Sequence, residues 1–401
     1  MFSRIIVIVL DGVGAGALPD AGQYGDEGSD TLGNIAREVG LRVPVLRSLG
    51  LDRVAHIGGR ARDEMPRGAF GAMTEASAGK DSVTGHWEMM GIVLERPFPV
   101  FPGGFPRELI EAFEKRTGRG TLGNRAASGT TIIDELGAEH MSSGKPIVYT
   151  SADSVFQIAA HEDVIPIDEQ YRINRIAFEL AVGGYGLGRV IARPFVGRPG
   201  SFRRTANRKD FAMTPTGETV LDRLAAARVP VIAVGKIDDL FAGRGIARAV
   251  HTKSDDEGMD VVSSEMASTA RGLIFANLVD FDTLYGHRND PAGYAANLER
   301  FDARLNDLLP RLRDDDLLVI TADHGNDPTT PSTDHSREHV PVLVTGPQVG
   351  HGVVLGTRAT FADLGQTVAE NFGVGPMRHG VSFLSAITVR PRVRLQPDRH
   401  E

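Results

Sequence analysis

An α/β fold is predicted by three features of this 401-residue sequence. Short runs rich in Val, Ile and Leu recur without polar alternation, amphipathic stretches lie between them, and acidic, glycine-bearing loops follow several runs directly. Continuous apolar character marks strands covered on both faces, the habit of parallel sheets flanked by helices. The predicted strands are residues 4–10, 147–150, 189–192, 229–234, 273–278, 317–320 and 340–344. Between the runs at 273–278 and 317–320, Leu298, Phe301, Leu305, Leu308, Leu309 and Leu312 recur at three- and four-residue intervals and predict a core-facing helix.

The middle of the chain has another texture. Proline and glycine cluster at Pro97-Phe-Pro-Val-Phe-Pro-Gly-Gly104 and at Thr214-Pro-Thr-Gly217, and residues 193–209 form a basic stretch. Punctuation at both ends predicts an inserted second domain over 97–215, with a discontinuous core over 1–96 and 216–389. Residues 390–401 read as a basic, solvated tail.

Composition narrows the function. The 44 basic and 52 acidic side chains give a net charge of −8, which argues against a general nucleic-acid binder. With no cysteine, disulfides, thiolate zinc sites, iron–sulfur clusters and cysteine nucleophiles are excluded, so a metal must be held by Asp, Glu, His or hydroxyl groups. The first strand begins at once, without a charged lead or cleavage site, and its run Ile5 to Leu10 is far short of the ~20 residues that span a bilayer. A cytoplasmic protein with no membrane partner is expected.

Three loops carry most of the chemistry. Asp11-Gly-Val-Gly-Ala-Gly16 puts a carboxylate where the first strand emerges, the edge at which open α/β sheets bind ligands. A dinucleotide loop fits Gly12, Gly14 and Ala17, but Pro19 would sit in the helix that such a loop requires. The second loop holds Asp280, Asp282 and His287; the third holds Asp323, His324 and Asp327 and leads to His335 and His339. Any one of these is ordinarily a solvated or capping residue. Together, hard oxygen and imidazole donors suit manganese, zinc or magnesium, with enough donors for two ions.

A two-metal site needs a reacting group, and Gly79-Lys-Asp-Ser-Val-Thr-Gly-His-Trp-Glu88 supplies a hydroxyl-rich turn before a short helix. Paired cations activate a hydroxyl and stabilise both oxygens of an in-line displacement, a role open to Ser82 or Thr84. Thr84 also reads as the cap of a helix over 85–90, a place that welcomes a phosphoryl group. Ser151, Asp153 and Ser154 suit sugar hydroxyls, while the arginines of 189–209 and Lys236 suit a phosphate.

These strings, with Tyr149-Thr-Ser-Ala-Asp-Ser-Val-Phe-Gln-Ile-Ala-Ala-His-Glu162 and Thr321-Ala-Asp-His-Gly-Asn-Asp-Pro328, resemble the phosphopentomutase family of the alkaline phosphatase superfamily over nearly the whole chain. The resemblance implies a core with a largely parallel sheet, and a smaller α/β cap. It implies Asp11, Asp323 and His324 around one Mn2+ and Asp282, His287 and His335 around another, with Thr84 bridging them as the phosphorylated residue. It implies Ser151 and Asp153 toward the sugar, and Arg189, Arg204 and Lys236 toward the distant phosphate. The implied reaction interconverts ribose 1-phosphate and ribose 5-phosphate, or their deoxy analogues, through a 1,5-bisphosphate, primed by glucose 1,6-bisphosphate or a similar compound. A phosphohydrolase or phosphoglycerate mutase on the same core is the nearest alternative, because a shared fold does not select the acceptor. A non-catalytic phosphosugar sensor is a more distant one.

Overall fold

The computed structural model describes residues 1–59, 63–151 and 154–388, so Asp153 and the basic tail lie outside the described residues. Strands β1 (Arg4–Leu10) and β2 (Ala69–Met73) belong to a first sheet. A second sheet takes β3 (Leu122–Ala126), β4 (Ile147–Thr150), β5 (Val155–His161), β6 (Arg189–Val196), β7 (Arg203–Arg204) and β8 (Lys209–Ala212). The chain then returns to the first sheet with β9 (Val231–Val234), β10 (Arg248–Val250), β11 (Gly272–Leu278), β12 (Asp316–Thr321), β13 (Val340–Thr345) and β14 (Val353–Arg358).

The first sheet runs β10-β9-β11-β1-β12-β13-β2-β14. Its first five strands are mutually parallel, and β13 runs against both β12 and β2. Every residue of β1, β11 and β12 is buried, which is why their sequence shows no alternation. The register sets Leu10 beside Leu278 and Val9 beside Thr321, so the loops after these three strands emerge together. That alignment places the site.

The opposite end of the sheet is a structural lock. Arg4 is fully buried and grips Asp316 through Nε at 2.9 Å and Nη2 at 2.5 Å, while donating also to the carbonyls of Met266 and Thr269. Pairing of this kind is what allows a guanidinium inside a core.

The second sheet runs β3-β4-β5-β6-β7, with β8 on β6, and has its own apolar clusters. Phe98 and Met213 pack on the first core, whereas Phe101 and Phe211 pack on the second, so the chain changes bodies near both proline-rich joints. The predicted helix at Leu298 spans Pro291–Leu308 and buries Leu298, Phe301, Leu305 and Leu308. Strands β2, β3, β5, β7, β8, β10 and β14 lie outside the predicted runs. Gly71 interrupts the short apolar run of β2 and β14 alternates toward solvent, so neither reads as a buried strand.

Candidate active site

Asp11, Asp282, Asp323, His324 and His335 come together at the carboxyl ends of β1, β11 and β12, all nearly or fully buried, with His287 half-buried at the rim. His335 Nε2 lies 3.3 Å from Asp282 Oδ1 and His287 Nε2 lies 3.2 Å from Asp282 Oδ2. His324 Nε2 lies 3.3 Å from Asp11 Oδ1 and 3.4 Å from Asp323 Oδ2. The orientations are fixed from behind. His324 Nδ1 faces the Gly325 carbonyl at 3.0 Å and His287 Nδ1 the Thr333 carbonyl at 2.7 Å, so both Nε2 atoms turn inward. Gly12 N–H holds Asp323 Oδ1 at 3.1 Å, and Asn326 Nδ2 holds Asp282 Oδ1 at 2.7 Å.

Electrostatics match this crowding. Burial would raise the Asp11 carboxyl, yet Lys236 and His324 outweigh it and bring it down to about 2. Asp282, also against its burial, is held well below the carboxylate range by His335 and His287. Lys236 stands 3.5 Å from Asp11 Oδ2, and Asp11 and Asp282 raise its pKa although burial opposes this. The remaining candidates are elsewhere. Asp280 exchanges hydrogen bonds with Asp255, Asp327 accepts from the N–H of Asp30, and His339 sits beside Thr74.

The hydroxyl turn differs from the expectation. The helix starts earlier, at Ser82–Met89, and Asp81 caps it by accepting from the N–H groups of Val83 and Thr84. Thr84 is fully buried, and its hydroxyl donates to Asp81 Oδ2 at 2.6 Å rather than to the carboxylate–imidazole cluster. The hydroxyl that faces the cluster is Ser82, with Oγ 3.1 Å from His324 Nε2 and 3.5 Å from Asp11 Oδ1. The assignment of Thr84 therefore moves two residues upstream. Successive helical positions point about 100° apart, so residues 82 and 84 cannot present to one surface. Asp81, rather than a phosphoryl group, already occupies the N–H groups of this helix start.

Ser82 opens into a cleft of about 260 Å³ whose lining joins both sheets: Asp282, His287, His335 and Lys236 on one side, Ser151, Arg189, Arg193 and Arg208 on the other. Ser151, Arg189 and Lys236 all line it. Arg204 does not; it lies exposed on β7 against Gly129 and Tyr149, outside the lining. Arg193 and Arg208 stand in its place. Arg193 hydrogen-bonds Gln157 at 3.1 Å, and burial with Arg208 nearby lowers its pKa to about 10. Arg208 forms a two-pronged pair with Asp210, at 2.7 Å on each prong. Both arginines sat in the basic stretch, but sequence gives no register along a bending strand.

Residues 3–376 match the metalloenzyme superfamily. A phosphopentomutase of Caldanaerobacter subterraneus subsp. tengcongensis is 55% identical over 390 residues, covering 97% of this chain and 99% of the relative. One from Anaeromyxobacter dehalogenans is 56% identical over 390 residues, covering 97% and 100%. The chain belongs to the phosphopentomutase family. Membership makes it an isomerase of the alkaline-phosphatase-like, metal-dependent class. The fold is shared with Leishmania mexicana phosphoglycerate mutase at TM-score 0.50 and 12% identity, over 97% of this chain and 98% of that one. No helix among the described residues is long and apolar enough to cross a membrane.

The donor set fits divalent cations. Asp282, His287 and His335 bring ligand atoms within 4.8 Å of one another, as do Asp11, Asp282 and His324. Asp11 Oδ2 and Asp323 Oδ2 are buried without a hydrogen-bond partner, an arrangement that costs free energy unless a charge completes it.

Proposed function

We propose that this chain interconverts ribose 1-phosphate and ribose 5-phosphate, and their deoxyribose analogues, through a phosphoserine at Ser82 and a 1,5-bisphosphate. The observation that carries this reading is Ser82 Oγ, which stands between Asp11 and His324 at the floor of a cleft whose far wall carries three arginines. Asp11, Asp323 and His324 would hold one cation, and Asp282, His287 and His335 another; manganese suits this mixed carboxylate–imidazole set. Bound there, two such ions neutralise phosphoryl charge and favour the ionised hydroxyl.

In the forward direction the phosphoryl group of Ser82 passes to the sugar. The C1 hydroxyl of ribose 5-phosphate loses its proton as its oxygen bonds phosphorus, and the bond from phosphorus to Ser82 Oγ breaks. The bisphosphate then presents its other end: Ser82 Oγ takes the C5 phosphoryl group, and the freed C5 oxygen takes a proton. Each half is mainly positioning and charge neutralisation. Lys236 meets the anionic group near Asp11, while Arg189, Arg193 and Arg208 hold whichever phosphate is remote. Ser151, with Asp153, would contact the sugar hydroxyls. Residues 97–215 act as a cap, because water reaching the phosphoserine would hydrolyse it. A bisphosphate such as glucose 1,6-bisphosphate primes Ser82, and the membrane-impermeant pentose phosphates put the reaction in the cytoplasm.

Incubation with manganese, ribose 5-phosphate and glucose 1,6-bisphosphate tests the reading. Mass spectrometry of the primed protein should find phosphate on Ser82, absent in Ser82→Ala and retained in Thr84→Val; the reverse pattern would restore Thr84. Inorganic phosphate released without ribose 1-phosphate would overturn the mutase activity.

A further inference from the structure

His86 is fully buried and outside the cleft lining, yet it joins two parts of the site. Its Nδ1 lies 2.8 Å from the Ser82 carbonyl, one helical turn back, and 3.2 Å from Asp323 Oδ2. A carbonyl and a carboxylate can only accept, so Nδ1 carries the hydrogen. On the other side of the ring, Asn277 Nδ2 approaches Nε2 at 3.4 Å, a donor that requires Nε2 to be the acceptor. Partners on both sides therefore fix the orientation of the ring. The neighbouring Gly85 adds an independent constraint. A β-carbon there would collide with the Asp323 carbonyl, so the helix backbone packs directly on Asp323, two residues past β12.

We infer that Gly85 and His86 form a clamp between the Ser82 helix and the end of β12, with His86 a positioning residue for the reacting hydroxyl. The inference rests on the Ser82 reading above. The glycine sets how closely helix and strand end approach. The imidazole Nδ1 then sits between the Ser82 carbonyl at 2.8 Å and the Asp323 carboxylate, whose Oδ2 lies 3.2 Å away. Rotation of either element would move Ser82 Oγ relative to Asp323. Such outer contacts typically carry a 10–100-fold effect on metal affinity or activity.

The test compares His86→Asn with His86→Gln in the manganese-loaded enzyme. The asparagine amide nitrogen falls near the position of Nδ1, whereas glutamine reaches toward Nε2. His86→Gln should slow priming of Ser82 by glucose 1,6-bisphosphate about 100-fold and lose manganese on dialysis. His86→Asn should recover about tenfold of that rate, and KM for ribose 5-phosphate should stay within about threefold of the parent in both, because the cap residues grip the sugar phosphate. Equal rates in the two variants, or a change confined to KM, would overturn the clamp. Phosphate found on Thr84 of the unsubstituted protein would instead sink the Ser82 reading, before any variant is compared.

Discussion

The two walls of the cleft are built on different principles. On the first sheet, the carboxylates and imidazoles sit on loops that leave three adjacent, fully buried parallel strands, and backbone groups lock several of them from behind. On the second sheet, Arg189 and Arg193 project from β6 itself, and Arg208 precedes β8, held by Asp210. One wall has fixed, converging donors. The other has long-stemmed cations, anchored at Gln157 and Asp210, that line the cleft. On the proposed mutase reading this asymmetry has a use: each end of a bisphosphate would take its turn at the reacting hydroxyl while the arginines meet the other end.

The contrast can be broken at four points. Asp323→Ala should have the largest effect, with manganese content and turnover falling together by about 10³-fold or more, the order seen when a group that stabilises transferring charge is removed. Metal analysis alongside the assay checks it, and unchanged metal content would dissociate Asp323 from the donor set. At the far end of the same strands, Asp316→Ala should cost about 3–5 kcal/mol in urea unfolding by stranding the buried Arg4, while the metal content of the folded protein stays intact.

Asp255 offers a gentler probe of the same wall. Burial pushes its carboxyl up to about 7, against the opposing hydrogen bond that its Oδ1 accepts from Asp280 N–H at 2.9 Å. The folded chain therefore keeps a proton that the unfolded chain releases near its ordinary 3.8, so this group's stabilisation shrinks as pH climbs from about 4 through 7. Between pH 5 and pH 7 the loss should be about 2 kcal/mol, and denaturation of Asp255→Asn should show a correspondingly flatter pH dependence. The smallest effects belong to the arginine wall. Arg193→Ala or Arg208→Ala should raise KM for ribose 5-phosphate about tenfold each, with Ser82 priming nearly unchanged, whereas Arg204→Ala should leave KM within about twofold. A larger effect of Arg204 than of Arg208 would reverse the description of the cap.

The same asymmetry explains what could be read ahead of the structure. Strand-end residues on continuously apolar strands are readable because a buried parallel strand has one register and one exit. That rule marks Asp11, Asp282 and Asp323 together with Asp280 and Asp327, and four histidines lie near them in the chain; the family resemblance, not the spacing, implies which of these are ligands. Ser82 and Thr84 are separated only by where the helix begins, and that depends on Asp81 reaching back as its cap. Arg204 and Arg208 are four residues apart in a stretch where β6 pairs successively with β7 and β8, so no periodic pattern identifies which faces inward.

By itself, then, the order of amino acids determined the α/β class, the carboxylate and imidazole donors, and the absence of any thiolate chemistry, because hydrophobic periodicity and donor type are local properties. Only the tertiary structure decided which hydroxyl faces those donors and which arginines close the opposite wall. Both depend on the angle at which one packed element meets another, and that angle is set by contacts between residues far apart in the chain.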